Sequence, residues 1–205
     1  MTVKDPKRLD DHYSRLARRQ GYPARSVYKL EEFDQKHHLF KTGQKVLDLG
    51  CAPGGWSLYA AKKVGAKGTV VGCDLNPPKS ASFPSQVIID YADLLADPPE
   101  FITALRPFDV VLSDVAPKTT GRREVDQARS LELCSAAWAW TRILLMPGGA
   151  FLYKVFQSPE AQDLIKSQGP FFQRQLSLKP KASRSESQEI FVLGLNYTGL
   201  TLARG

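Results

Sequence analysis

A lysine interrupts an apolar stretch that otherwise has the features of a buried strand. The run FLYKVF, Phe151 to Phe156, is rich in aromatic and β-branched residues, and Lys154 lies within it. Because strand side chains alternate between two faces, Lys154 shares its face with Leu152 and Phe156. An ammonium group taken out of water needs a partner, or it loses its proton. The stretch alone is also compatible with a lysine on a solvent-facing edge strand.

Two carboxylates are expected near Lys154 from their places at strand ends. Asp114 ends the predicted strand FDVVLSD, and Glu189 opens the last one, EIFVLGL. The carboxyl ends of neighbouring parallel strands lie at one edge of a sheet, so the sequence predicts that Asp114 and Lys154 lie close together near a ligand. With these countercharges available, an edge position becomes the less favoured interpretation. Glu186 competes with Glu189 on composition alone.

A glycine-rich turn, GCAPGG, separates the strand KVLDL from a helix predicted to begin at Trp56. Folds of the α/β class bind ligands at such turns, because glycines such as Gly54 let the backbone approach closely and leave helix N–H groups free. The pattern is neither the dinucleotide fingerprint nor the phosphate-binding P-loop. Asp48, at the end of its strand, favours a ligand with a cationic group.

Two further strand-end acids complete a cofactor pattern. Asp74 ends the next strand, 20 residues after Gly54, the usual separation for an acid that holds ribose hydroxyls. Asp90 ends the third strand and could bind an adenine amino group. The turn and the acids together predict S-adenosylmethionine as the ligand. A nucleotide-dependent oxidoreductase is the main alternative class, and a non-catalytic RNA-binding module is a third.

One dehydrogenase-like pattern does not support the oxidoreductase alternative. Tyr59 and Lys63 have the Y-x-x-x-K spacing of short-chain dehydrogenases. They lie on the helix directly after the glycine-rich turn, where that catalytic pair does not belong. We interpret them as helix packing and surface residues, and a metal site at Asp34 and His38 is likewise not expected.

The elements that must hold these residues alternate along the chain. Short apolar strands alternate with helical stretches from KVLDLG to FLYKVF, which predicts an α/β fold with a mostly parallel central sheet. Two last strands, FQRQLSL and EIFVLGL, have no helix between them and are predicted to pair antiparallel. Helices are predicted at residues 6–19, 24–38, 98–105 and 124–145, and from Pro159 onward.

Composition limits the classes of function. A length of 205 residues predicts a single domain, 1–205, and 42% hydrophobic with 24% charged residues is ordinary for a globular protein. There is no apolar run of membrane-spanning length and no hydrophobic signal region at the N-terminus. Three cysteines without CxxC spacing argue against a disulfide framework or a zinc site and favour the cytoplasm. No metal, no membrane and no obligate protein partner are expected.

The net charge of +7 is unevenly distributed. Residues 1–29 hold eight Lys or Arg against three Asp, and residues 166–189 hold five against two Glu, giving +5 and +3. Basic segments on either side of a nearly neutral middle region indicate a polyanionic partner. A basic helical N-terminal segment, about 1–40, is therefore predicted to contact this partner.

Five motifs make the chain resemble the FtsJ/RrmJ family of ribosomal RNA ribose 2′-O-methyltransferases. GYPARSVYKL, DLGCAPGGWS, SDVAP, KVFQ and SRSESQE follow in the family's order and with similar spacing over nearly the whole chain. The resemblance implies a Rossmann-like class I S-adenosylmethionine-dependent methyltransferase with a seven-stranded sheet and helices on both faces. It also implies the substrate, a uridine ribose in large-subunit (23S) rRNA. Relatives that modify tRNA or messenger caps share the catalytic residues, so tRNA or another RNA is the alternative.

The resemblance further implies the roles of individual residues. The residues of the implied catalytic tetrad are Lys29, Asp114, Lys154 and Glu189. The spacing of the motif selects Glu189 over Glu186. Those in contact with the cofactor are Gly54, Trp56, Asp74, Asp90 and Asp114. Lys154 would act on the hydroxyl as a neutral base or as a charged orienting group, and the sequence leaves both open. The loop APKTTGRREVD is more basic than its family counterpart, which suits contact with RNA.

Overall fold

Seven strands and six helices form the part of the chain that the computed structural model describes, residues 6–79, 83–180, 182 and 187–199. The strands are β1 Lys45–Leu49, β2 Thr69–Asp74, β3 Val87–Tyr91, β4 Phe108–Ser113, β5 Leu145–Phe156, β6 Phe172–Leu178 and β7 Glu189–Tyr197. The helices are α1 Pro6–Arg19, α2 Val27–His37, α3 Gly55–Val64, α4 Glu100–Thr103, α5 Arg123–Leu144 and α6 Pro159–Gln168. A 3₁₀ turn, Gly169–Phe171, joins α6 to β6.

All seven strands form one sheet in the order β3-β2-β1-β4-β5-β7-β6. The five strands from β3 to β5 pair in parallel, whereas β7 is antiparallel to both β5 and β6. The predicted mostly parallel sheet and the antiparallel last pair are therefore confirmed. The strand order reverses between β1 and β4, which is where open α/β sheets bind ligands beyond the strands' carboxyl ends.

Helices cover both faces of the sheet, as predicted. One core packs residues of α1, α2 and α3 against the sheet, among them Ala17, Leu30 and Ala60. The other packs α4, α5 and α6 against the opposite face, with Ile102 and Trp140 in its interior. Of the helices in the described residues, none has the length and apolar character to span a membrane.

Two element starts differ from the predictions by three residues or more. The second helix begins at Val27 and not at Ala24, because Arg25 and Ser26 form a tighter turn whose carbonyls accept hydrogen bonds from residues three positions later. The strand predicted from residue 151 begins at Leu145, directly after α5. Its pairing with β4 shifts between residues 108 and 110, because the chain around the Pro-Gly-Gly segment is irregular there.

Candidate active site

Lys154 lies on an interior strand of the sheet. β5 pairs with β4 on one side and with β7 on the other, so the edge-strand interpretation is wrong. The lysine is buried, with only 4% of its surface exposed. Its Nζ donates a hydrogen bond to the main-chain carbonyl oxygen of Asp114 at 2.9 Å and lies 2.9 Å from Asp114 Oδ1. Oδ1 receives no well-directed hydrogen bond, so its contact with the ammonium group is an ion pair.

Glu189 connects Lys154 to a second lysine. In the antiparallel register Glu189 lies opposite Phe156, two residues beyond Lys154 on the same face of β5. Its Oε1 lies 3.7 Å from Lys154 Nζ, and its Oε2 accepts a hydrogen bond of 2.9 Å from Lys29 Nζ. The structure therefore brings Lys29, Asp114, Lys154 and Glu189 into one row of alternating charges.

The charges in this row support one another. Burial lowers the pKa of Lys154, but the carboxylates of Asp114 and Glu189 outweigh burial and raise it above the usual lysine value. Burial likewise raises the pKa of Glu189, but the positive charges of Lys154 and Lys29 lower it by more than burial raises it. The net shift in the pKa of Glu189 is therefore downward. In the absence of ligands, the row holds Lys154 as a cation and Glu189 as an anion.

Lys29 extends from α2 to the charged row over the ring of Phe191. Its Nζ lies 5.1 Å from the centroid of the Phe191 ring, within the range of a cation–π interaction. Phe191 is fully buried on β7 and packs against the rings of Phe33 and Trp56. Because these contacts fix α2 against the sheet, they also fix the position of the Lys29 ammonium group next to Glu189.

A cleft of about 530 Å³ opens beside Asp114, at the carboxyl ends of the central strands. Asp74 lines it and supports the glycine-rich turn: its Oδ2 accepts a hydrogen bond from the N–H of Ala52 at 3.1 Å, and its Oδ1 accepts one from Asn76 at 2.8 Å. A carboxylate oxygen has two acceptor sites, so each oxygen of Asp74 can still accept a hydroxyl. The predicted ribose-binding role therefore fits this geometry.

The chemistry of the cleft fits S-adenosylmethionine. Leu75 and Leu95 line it with 53% and 54% of their surfaces exposed, and this apolar surface suits a flat ring system. Asp74 and Asp93 supply acceptors for hydroxyl and amino groups on one side. Asp114, on the other side, supplies a negative charge for the cationic end of the ligand.

Three predicted cofactor residues are not among the described residues that line the cleft. Trp56 is 3% exposed, and its indole N–H donates to the carbonyl of Ser26 at 2.9 Å, so its side chain belongs to the core. Asp90 is exposed on β3, outside the lining. Gly54 caps α3 with φ +104°, and a Cβ atom there would overlap the ring of Phe83, so this turn requires glycine. Ligand contacts at Gly54, Trp56 and Asp90 stay predictions.

Asp48 differs from its predicted orientation toward the ligand. It is 1% exposed, and it accepts a hydrogen bond of 2.6 Å from Ser57 Oγ and another from the Ser57 main-chain N–H. It therefore stabilises the start of α3 beneath the turn. Burial, together with the nearby charges of Asp114 and Asp74, raises the pKa of Asp48 to about 7.

A second cavity, of about 500 Å³, lies on the other side of the charged row. Lys29 and Glu189 line it, whereas Asp114 lines the first cleft, and Lys154 contacts both carboxylates. Other residues that line the second cavity are Arg25, Thr119, Gly121, Arg123, Asp126, Phe156, Ser187 and Gln188. The catalytic candidates therefore separate two spaces, each large enough for a ligand.

Sequence analysis did not identify most of the second cavity. Its lining comes from the loop before α5 and the segment before β7, and loop positions carry no periodic signal. Phe156 was identifiable because it shares the face of Lys154, as the alternation of a strand requires. The sequence contained no pattern that identified Asp126 as part of this cavity. Asp126 nevertheless accepts hydrogen bonds from the N–H groups of Thr120 and Gly121 and thereby fixes the basic loop before α5. Glu186 lies outside the described residues.

Tyr59 and Lys63 occupy structural positions, as interpreted from the sequence. The Tyr59 hydroxyl donates a hydrogen bond to Asp34 Oδ2 at 2.9 Å, and Lys63 Nζ lies 2.8 Å from the same oxygen. These contacts join α3 to α2. Asp34 therefore serves helix packing, and among the residues that the structure describes no cluster of metal-ligating side chains occurs.

Comparison with known proteins gives consistent matches. The family model described as FtsJ-like methyltransferase matches residues 22–197. A protein of Nitratidesulfovibrio vulgaris is 46% identical over 199 residues, covering 95% of this chain and 96% of the relative. One from Bdellovibrio bacteriovorus is 46% identical over 191 residues, covering 91% and 96%. Both relatives are named ribosomal RNA large subunit methyltransferase E.

A solved structure supports the fold. It comes from Plasmodium falciparum, is described as a putative ribosomal RNA methyltransferase, and superposes with a TM-score of 0.76. The match covers 87% of this chain and 100% of the other, at 24% sequence identity. At that identity the similarity supports the architecture of the sheet and helices.

Proposed function

Because the chain belongs to the FtsJ-like methyltransferase family, we propose that it transfers a methyl group from S-adenosylmethionine to the ribose 2′-hydroxyl of a uridine in large-subunit (23S) rRNA. The observation that carries this proposal is the position of Lys154 between two cavities. One carboxylate partner, Asp114, lines the cleft suited to the cofactor. The other, Glu189, lines the cavity left for the acceptor.

The cofactor's part is to supply an electrophilic methyl group on a sulfonium centre. Asp74 would hold the ribose hydroxyls of the cofactor, Leu75 and Leu95 its base, and Asp114 its cationic end. On the acceptor side, Lys154 would align the 2′-hydroxyl, either as a neutral amine that takes its proton or as an ammonium group that orients it while the proton leaves to solvent as the methyl group is transferred. Lys29 and Glu189 would fix the ribose and keep Lys154 in place through the contacts described above.

Ribosomal RNA is the substrate favoured by the relatives' names, and the charge of the protein suits it. Arg15, Arg18 and Arg19 are exposed on α1 and add to the excess of positive charge in the N-terminal segment, about 1–40, proposed to contact RNA. Mapping 2′-O-methyl groups in rRNA and tRNA from a strain lacking the gene tests this assignment. Loss of a methyl group from tRNA alone would favour the alternative substrate.

A cytoplasmic location belongs to the same proposal. Cys51, Cys73 and Cys134 are free and buried, as expected of a protein that folds in a reducing compartment. We also propose that residues 1–205 act as one methyltransferase domain, because both cavities are built on the same sheet.

S-adenosylmethionine should raise the melting temperature of the purified protein, and NAD should not. The cleft offers acidic groups to a cationic ligand and no dinucleotide fingerprint for a pyrophosphate. Differential scanning fluorimetry at several ligand concentrations measures both effects. Asp74→Ala should weaken the cofactor effect while leaving the protein folded, and Asp97→Ala, an exposed aspartate outside the cleft lining, is its control. Stabilisation by NAD alone would overturn the cofactor assignment.

RNA affinity should depend on the exposed arginines of α1. Neutralised phosphates release counterions, so for unpaired RNA the log affinity should fall with log salt at roughly −0.7 per phosphate contact. Replacing Arg15, Arg18 and Arg19 with Ala should make this slope shallower. Fluorescence anisotropy with labelled rRNA fragments across a salt series measures the slope.

The control for this experiment removes the same charge from other surfaces. Lys41, Lys67 and Arg106 are also exposed and lie outside both basic segments, and replacing all three with Ala should leave the slope close to that of the wild type. Equal slopes for the wild type and the α1 variant would mean that these arginines do not bind RNA.

A further inference from the structure

The acceptor cavity contains an aromatic side chain that the proposed chemistry leaves without a role. Phe156, the last residue of β5, is only partly buried and lines the cavity together with Lys29 and Glu189. The neighbouring aromatic residue on the same face, Phe191, is fully buried as part of the core. Phe156 therefore exposes part of its ring beside the charged row, next to the buried ring of Phe191.

The position of Phe156 is fixed from both sides. It lies opposite Glu189 in the β5–β7 register, and its main-chain N–H donates a hydrogen bond to Ser130 Oγ of α5 at 3.1 Å. One residue further, the N–H of Gln157 donates to the carbonyl of Gln188 at 3.0 Å and extends the pairing. Phe156 and Gln188 therefore line the cavity from adjacent chain segments that this hydrogen bond joins.

The carboxamide of Gln188 contacts a side chain of α5. Its Oε1 accepts a contact of 3.4 Å from Nε2 of Gln127, a residue of α5 that also donates to the carbonyl of Gln157. With Oε1 turned toward Gln127, the Nε2 group of Gln188 is left as a donor. A donor at this place matches a carbonyl oxygen of a ligand and opposes an amino group.

We propose that Phe156 and Gln188 bind the base of the methyl-accepting nucleotide, with Phe156 stacking on its ring and Gln188, oriented by Gln127, donating to its carbonyl edge. The inference rests on the proposed function. Single-stranded bases are held in proteins by stacking on aromatic rings and by hydrogen bonds to their edges. Arg123, also in the lining, adds the positive charge that a nucleotide phosphate requires.

This arrangement predicts a preference for uracil over cytosine. Uracil carries a carbonyl oxygen at position 4, whereas cytosine carries an amino group there, which is a donor. The Nε2 group of Gln188 would donate a hydrogen bond to the carbonyl oxygen of uracil. It could not donate to the amino group of cytosine, which would leave both donors without an acceptor. The cavity of about 500 Å³ is large enough to admit a base that is not paired with another strand.

The test of Phe156 uses 23S rRNA, free or assembled into large subunits. Phe156→Leu keeps the apolar bulk but removes the aromatic face, and it should raise the KM for RNA roughly tenfold or more. Phe156→Tyr should remain close to wild type. Phe101→Leu, in a half-buried phenylalanine of α4, controls for loss of packing. An unchanged KM in Phe156→Leu, or an equal rise in Phe101→Leu, would overturn the stacking role.

The test of Gln188 compares RNA carrying U or C at the position that the wild type methylates. The wild type should prefer U, and Gln188→Glu, which cannot donate, should lower the ratio of U to C rates on the order of tenfold. Gln127→Met should lower the ratio as well, because the carboxamide of Gln188 could then rotate. Gln162→Ala, on the exposed face of α6, should leave it unchanged.

The outcomes separate this inference from the proposed function. Equal rates for U and C in the wild type, or an unchanged ratio in Gln188→Glu, would overturn base recognition by Gln188 while methyl transfer stands. If the wild type methylates neither RNA, the proposed function fails, and the inference fails with it. Cofactor affinity, measured for every variant by thermal shift, should stay at the wild-type value.

Discussion

Lys154→Ala should lose roughly 10²–10⁴ in the single-turnover rate of methyl transfer, the range for a positioned acid–base group. Affinity for the cofactor and for RNA should be retained, because Lys154 lies between the two cavities and is not among the described residues that line either of them. Rapid-quench measurements with saturating enzyme report the chemical step directly, whereas slow product release could hide it in steady-state rates.

Two further variants make this result specific. Lys154→Arg should not restore the rate, because a guanidinium group does not deprotonate and its planar fork cannot reproduce the contacts of Nζ with Asp114 and Glu189. Lys166→Ala, in an exposed lysine of α6, should react at the wild-type rate. A Lys154→Ala protein that methylates RNA at the wild-type single-turnover rate would show that the catalytic assignment is wrong.

The dependence of the wild-type rate on pH separates the two possible roles of Lys154. The carboxylates of Asp114 and Glu189 raise its pKa above the ordinary value despite burial, so the lysine is charged at neutral pH before ligands bind. If the charged form orients and acidifies the hydroxyl, the rate should be nearly constant from about pH 7 to about pH 9 and fall only as the lysine deprotonates. A tenfold rise per pH unit over this range would instead identify a neutral base.

The sequence predicted the charged row because strand ends in a parallel sheet converge. Asp114 follows β4 and Lys154 lies near the end of β5, so their proximity follows from topology alone. The position of Glu189 near Lys154 depends on the antiparallel orientation of β7. That orientation was predictable because no helix separates β6 from β7. Lys29 is different, since it reaches the site from a helix far away in sequence, and only the family resemblance identified it.

Side-chain direction was the part that sequence pattern could not supply. Asp48 and Asp74 both lie at the ends of neighbouring parallel strands, yet Asp48 turns inward to Ser57 and Asp74 supports the turn that borders the cleft. Trp56 follows the glycine-rich turn, but the space between α2 and the sheet draws its indole ring into the core. These directions depend on which neighbour offers a hydrogen bond or a cavity, and both are set by tertiary packing.

Asp114→Asn should lower the free energy of unfolding by about 3 kcal/mol at neutral pH, since breaking a buried ion pair leaves an uncompensated charge. Lys154 would keep its burial but lose the carboxylate that contributes most to raising its pKa. Glu189, at 3.7 Å and already bonded to Lys29, cannot replace it fully. Denaturant unfolding of the ligand-free protein measures the loss. Asp163→Asn, which breaks the exposed pair with Lys166, should change stability by less than about 1 kcal/mol.

The dependence of this loss on pH has a definite sign. In the wild type the pKa of Lys154 is raised, so its stabilisation is present below the unfolded value of about 10.4 and disappears as the pH rises through the folded value. In Asp114→Asn burial is opposed chiefly by Glu189 alone, so the pKa of Lys154 should be lower than in the wild type, and the variant should gain stability relative to the wild type as the pH rises. The difference between the two proteins should therefore shrink toward about pH 10. Adding Lys154→Met to Asp114→Asn removes the unpaired charge and should recover most of the lost stability. A double variant no more stable than Asp114→Asn alone would mean that Asp114 stabilises the fold by other contacts, and that the ion pair with Lys154 is not what holds this end of the sheet together.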